Sequence, residues 1–196
     1  MRKRAHILII GGAIALSLII MILSFGYYPI ALVNGHIITA HAFELQAKAV
    51  TRYREVAAET YVVATTTPAT SSTSTIATGM DMPTSILDAL IEDQIVRGGL
   101  NQLVGDGAQR IVREKVQKYE SNPELHGASV QLFSLTPEVF AESILTPQAE
   151  REVLSSKLFL QGQTLNSWLK DARKTASVRI FSGAYKWNGD RVERAK

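Results

Sequence analysis

The chain has 196 residues, a formal net charge of +3 and no cysteine. That length suits one domain with a real core, and the lack of cysteine excludes thiol catalysis, thiolate metal sites and disulfides. Three of the 21 Lys and Arg are Arg2, Lys3 and Arg4, and the other eighteen balance eighteen Asp and Glu. The body is therefore neutral, without the clustered basic face of a nucleic-acid binder.

An unbroken apolar run from Ile7 to Phe25 follows the basic tip, and no charged residue appears until Glu44. Its nineteen residues approach the ~20 that a helix needs to cross a bilayer's hydrocarbon core. Three cations before the run place that end in the cytoplasm and the rest outside. The expectation is a single-pass signal-anchor over 1–29, in the cell membrane, and an extracytoplasmic domain over 30–196. A cleaved signal peptide is the rival reading. Its apolar core would run ~7–15 residues, and Ser24-Phe25-Gly26 lacks the A-x-A pattern. Tyr27 and Tyr28 suit the bilayer interface. Gly11 with Ala15, and Ala13 with Ser17, offer small faces for weak self-association of two such helices.

Ile30 to Val33 and His36 to Ile38 flank Asn34-Gly35, the strongest short hairpin signal, because a type I′ turn needs positive φ at both central residues. Thr39 is placed to cap a helix from Ala40 to about Val62, with Phe43, Ala47, Val50, Tyr53, Ala57 and Tyr61 on one face. Residues 64–78 are rich in Ser and Thr, without charge or periodicity, and read as a flexible exposed loop. Pro83 opens a second helix, with Ser85 and Asp88 spaced as a capping box and Gly98-Gly99 able to end it. A third is expected from Ala108 to Glu120 behind Asp106 as N-cap.

Thr136-Pro137 and Thr146-Pro147 each set a capping residue before a proline. They predict a short helix to about Leu145, then a long one to about Lys174. Val178 to Phe181 reads as a strand, and Asn188-Gly189-Asp190 as the turn of a second hairpin. The fold class is mainly α. Because short strands do not stand alone, the first hairpin is expected to pair with the last strands and close the body with a small antiparallel sheet.

Catalytic signals are weak. Ser167-Trp168-Leu169-Lys170 has S-x-x-K spacing but none of the partner motifs. His6, His36, His41 and His126 show no metal-ligand spacing, and Glu92-Asp93 lies on a polar helix face. Gly105-Asp106-Gly107 lacks the other glycines and the lysine of a phosphate loop. No catalytic residue, metal or cofactor is expected.

Three stretches resemble the N-terminal chaperone region of the SurA/PrsA group of extracytoplasmic peptidyl-prolyl isomerases and foldases. These are Val33-Asn34-Gly35-His36-Ile37-Ile38-Thr39 with Phe43, the run from Leu87 to Val96, and Trp168 to Lys174 leading into Val178-Arg179-Ile180. The likeness spans about Ala31 to Phe181. It implies a helical cradle that holds unfolded secreted proteins. The isomerase module of that group has no room after Phe181, so no catalytic residue carries over, although a family-level assignment as an isomerase would follow from the likeness. The segment 64–78 looks like an insertion.

The expectation is a membrane-anchored chaperone-like protein binding apolar segments of unfolded polypeptides. Its floor would be drawn from Phe43, Val50, Tyr53, Leu154, Leu158, Leu165 and Trp168, whichever are not packed inside. The alternative is a non-catalytic adaptor docking one dedicated partner of an envelope complex with the same helices.

Overall fold

The computed structural model describes residues 26–63 and 81–195, without the side chains of 59–63. The anchor, its Gly11/Ala15 face and the segment 64–78 lie outside the described residues. Among those described, no helix is long and apolar enough to cross a membrane.

Strands β1 (Pro29–Val33) and β2 (His36–Thr39) form the expected antiparallel hairpin. Asn34 and Gly35 have φ of 49° and 86°, as the type I′ turn demands. Thr39 Oγ1 accepts the Ala42 amide at 3.2 Å and caps α1 (Ala40–Val63). Strand β3 (Val178–Ile180) adds to the free edge of β1, giving the order β2-β1-β3. Asn34 fastens this closure by taking the Ser177 amide on its side chain and donating its own amide to the Ser177 carbonyl, both at 2.9 Å. Only β3 of the last strands joins the first hairpin; contrary to expectation, the second hairpin, β4 (Tyr185–Trp187) with β5 (Val192–Arg194), is a separate two-stranded sheet.

Helix α2 (Met82–Val104) is the central strut, touching β1, β2, β5, α1, α3 (Ala108–Glu120), α6 (Thr146–Leu160) and α7 (Leu165–Thr175). Its Leu87, Ile91, Ile95 and Leu100 meet Val112 of α3, Leu154 and Leu158 of α6, Leu169 of α7 and Val33 of β1 in the main core. A smaller core gathers Ala49 of α1 with Leu135, Phe140, Ala141 and Leu145. The described part is mainly helical with small antiparallel sheets.

Five further details differ from the sequence expectations. Gly98-Gly99 does not end α2, which runs on to Val104 and stops at Gly105, φ 75°. Asp88 makes no capping box; Asp81 holds the N-cap position and its carboxylate accepts the Thr84 hydroxyl. Asp106 does not cap α3, because it sits inside a 3₁₀ turn over Gly105–Gly107. An unanticipated helix, α4 (Pro123–Phe133), starts where Asn122 Oδ1 accepts the Glu124 amide at 3.0 Å.

The last difference concerns Thr146-Pro147, which opens no new helix. Helix α5 (Pro137–Phe140), capped by Thr136, continues through a π turn (Ala141–Leu145) into α6. The wider turn gives the proline ring room where an α-turn carbonyl would clash. Thr146 Oγ1 donates back to the Ala141 carbonyl at 2.9 Å. The single helix expected to run to about Lys174 is instead two: α6 ends at Leu160, the chain turns at Gly162 with φ 74°, and Thr164 caps α7 by accepting the Ser167 amide at 3.2 Å.

Gly99 has a packing reason to lack a side chain. A Cβ there would stand 2.3 Å from the Trp168 ring, whereas one on Gly98 would meet nothing within 4 Å. Gly98→Ala is therefore expected to stabilise by roughly 0.5–1 kcal/mol through helix propensity. Gly99→Ala should cost about 1–2 kcal/mol net, since overpacking outweighs that gain. Chemical denaturation of both variants, with Trp fluorescence as a second readout, checks the pair.

Candidate functional site

Helix α1 packs through Leu45 and Ala49 onto the smaller core, while α2 belongs to the main one. A groove opens where the two helices face each other. Gln46, Val50 and Arg54 recur every four residues on α1 and so share one face. Met82, Ser85, Ile86 and Ala89 form the opposing face of α2. Together they enclose an apolar cleft of about 170 Å³. Gln46 and Ala89 also border a second cleft of about 290 Å³, walled by Ser143 and Ile144 of the π turn, by Pro147, Gln148 and Arg151 of α6, and by Asp93. The two clefts thus adjoin at Gln46 and Ala89 along one groove between the helices, the first apolar and the second lined in part by the charged Asp93 and Arg151.

The charged end belongs to a larger ion-pair network. Arg151 pairs with Glu92 and, at 2.8 Å, with Asp93. Arg173 of α7 pairs with Glu92 and, at 3.1 Å, with Asp88. Burial pushes the Glu92 carboxyl up, but Arg151 and Arg173 outweigh it and hold the group below the usual carboxylate range. For Asp93, burial wins over Arg151 and the carboxyl is raised. A sequence reading of Glu92-Asp93 as a solvated polar face is thus corrected: both are largely buried and paired across helices. The neighbouring Glu150, 1% exposed, accepts Arg97 Nε at 2.8 Å.

The structure sorts the expected floor residues. Leu154 and Leu158 are fully buried in the main core, because α6 lies between α2 and α3, so no client reaches them. Phe43, Leu165 and Trp168 are half-buried against the same core, with the Trp168 ring seated on Gly99. Val50 lines the groove. Tyr53 is half exposed and stacks on Phe133 of α4, with ring centroids 5.6 Å apart and planes 11° apart. The seven residues therefore do not converge.

Sequence reasoning missed Gln46, Ala89 and Ile144, and their signal is faint: each sits beside a buried stripe rather than on it. It also missed Phe159 and Leu160, which are 79% and 82% exposed at the end of α6. Ser167 and Lys170 are both exposed on α7. His126 Nε2 bonds the Glu120 carbonyl at 2.8 Å, and the His41 ring lies beside Tyr27.

In comparisons with known proteins, no family model matches the chain, and neither does a curated protein or a solved structure.

A carboxyl held low in the folded state contributes stability above its unfolded pKa and loses it as pH falls through the folded value. Glu92→Gln is therefore expected to cost about 2 kcal/mol at pH 7. The gap to the wild type should start to narrow as pH falls through the ordinary carboxylate range and close only as pH falls through the lowered folded value, where the wild-type carboxyl also becomes neutral. Asp93, raised by burial, favours the fold in its protonated form, so Asp93→Asn should cost less than Glu92→Gln at pH 7. Urea melts at pH 7 and pH 3 check both; an undiminished gap at pH 3 for Glu92→Gln would show that its charge is not what stabilises.

Proposed function

We propose that the chain is a membrane-anchored, extracytoplasmic, chaperone-like protein that reversibly holds apolar segments of unfolded polypeptides in the groove between α1, α2 and the start of α6. The observation that carries this reading is the accessible groove itself, with aliphatic side chains at one end and amide and charged side chains at the other. Such a mixture suits an extended chain, whose side chains need apolar contacts and whose backbone needs hydrogen-bonding partners. The likeness of the chain's opening and closing motifs to the SurA/PrsA chaperone region supports the same reading. The apolar run from Ile7 to Phe25 would hold the body where exported chains emerge.

The expected affinity is weak. Burying one Leu- or Val-sized side chain contributes ~1.5–3 kcal/mol, and a micromolar complex needs about 8 kcal/mol after association costs. Clefts this small take few client side chains, so binding in the high micromolar range and fast release are anticipated. That suits holding a client and letting it go. The rival reading, an adaptor with one dedicated partner, finds its support elsewhere, in the neighbouring exposed side chains Phe159 and Leu160.

A larger side chain at Ala89, which borders both clefts, would fill the groove. In the full chain, reconstituted in lipid nanodiscs, Ala89→Trp should weaken binding of an apolar peptide about tenfold, a ~1.4 kcal/mol effect. It should also lose most of the delay in client aggregation, with the melting temperature little changed. Wild-type protein that delays aggregation of no unfolded client would sink the proposal. A single tight, saturable complex abolished by Phe159→Ser, with Ala89→Trp silent, would establish the adaptor instead.

A further inference from the structure

The three-stranded sheet has one face in the core and one face bare. Ala31, Val33 and Ile38 point inwards and are at most 3% exposed. Their outward neighbours are Leu32 and Ile37, which pair across the hairpin, and Arg179, which pairs with Leu32 from β3. Ile37 is 58% exposed. Phe181 carries the outward alternation of β3 one residue further, its amide donating to the Ile30 carbonyl at 2.9 Å. It is 48% exposed, and the Arg179 guanidinium lies 5.7 Å from its ring centroid. Tyr27 and Tyr28, at 55% and 42% exposure, stand where the chain enters β1. None of the three strands contains an acidic residue.

Aliphatic side chains, an aromatic ring and a guanidinium on one face, with no carboxylate in the strands and two exposed phenols just ahead of β1, fit the boundary between lipid headgroups and acyl chains. Aromatic rings prefer that layer, and Arg pairs with phosphate. The position along the chain agrees. The apolar run ends at Phe25, so only Gly26 and Tyr27 separate it from Tyr28. Two or three residues reach at most roughly 10 Å, close to the thickness of one headgroup layer, about 5–8 Å. The strand β1 thus begins at the lipid surface. It can then either stand upright, carrying Leu32 roughly 13 Å away from Tyr28, or lie flat.

We propose that it lies flat: the outward face of β2-β1-β3 rests on the outer-leaflet headgroups, with Ile37 and Phe181 dipping into the interface and Arg179 pairing with lipid phosphate. The body then sits in a fixed orientation instead of swinging on its anchor. This inference rests on the reading of residues 7–25 as a membrane anchor, and the experiment separates the two.

The chain has no cysteine, so single-cysteine variants report cleanly. Ile14→Cys, Ile37→Cys, Phe181→Cys and Phe159→Cys would each carry a nitroxide spin label in the full chain. The chain is reconstituted in phosphatidylcholine–phosphatidylglycerol vesicles, and collisions with oxygen and with a water-soluble nickel chelate are compared. Labels at 37 and 181 are expected to be shielded from nickel several-fold relative to 159, and to lose that shielding in detergent micelles. Labels at 37 and 181 as open to nickel as 159, with 14 in lipid, would overturn the flat orientation and leave the anchor standing. A label at 14 open to nickel would overturn the anchor and the docking with it. Shielding of 37 and 181 only when an unfolded client is added would assign the face to polypeptide and overturn the lipid contact.

Discussion

Two arginines from different helices converge on one edge of α2, and the arrangement of the whole body depends on them. Arg151 brings α6 to Glu92 and Asp93, and Arg173 brings α7 to Asp88 and Glu92. Arg173 also donates to the Asp190 carbonyl at 2.6 Å, while Asp88 accepts the Val192 amide at 3.0 Å. The second hairpin is thereby fastened to the same edge. Apolar packing could tolerate several rotations of α7 on α2, because hydrophobic contact is non-directional. Half-buried charges tolerate few, since a partner lost to a wrong register leaves a desolvated charge behind. The network contributes modest net stability and fixes which residues face which.

The groove follows from a division of the core. Helix α1 reaches the main cluster only near its start, through Phe43, and then follows the smaller one through Leu45 and Ala49, while α2 stays with the main cluster; beyond Phe43 the two helices meet along a seam that neither cluster fills. Small or polar residues at that seam, Ala89, Gln46 and Ser85, keep it from closing. The ion-pair network then supplies the far wall through Asp93 and Arg151. One set of contacts thus positions both the body and the chemical character of the cleft.

Local signals in the sequence were read well, and most long-range ones were not. Asn34-Gly35, the Thr39 cap and the bounds of α3 rest on contacts within a few residues, and each is where its sequence placed it. The pairing of β3 with β1 is long-range and was still legible, because short strands need a partner, whereas β4 and β5 pair only with each other. The end of α2 was misjudged because Gly99 answers to Trp168, nearly seventy positions away. Thr146-Pro147 was misjudged because a helix can absorb a proline by widening one turn. The candidate site was the least legible part. Val50 and Leu154 sit on equally regular apolar stripes, yet one lines a groove and the other is sealed. Periodicity tells that a stripe is covered; which helix covers it is decided by the ion pairs, and their partners lie more than fifty residues apart.

The π turn ahead of Pro147 has a mechanical meaning. One extra residue in a turn advances a helix by about 100°. Phe140 ahead of the turn and Ala141 and Leu145 within it can therefore serve the smaller cluster while Ala149 and Val153 downstream serve the larger one. The rod acts as a phase adaptor between two apolar centres that a regular spiral would leave out of step. Chain length is consequently unforgiving there. Adding a residue to the turn around Gly162 only lengthens a surface connection, whereas adding or removing one over 141–145 would rotate one centre's contacts away from their partners.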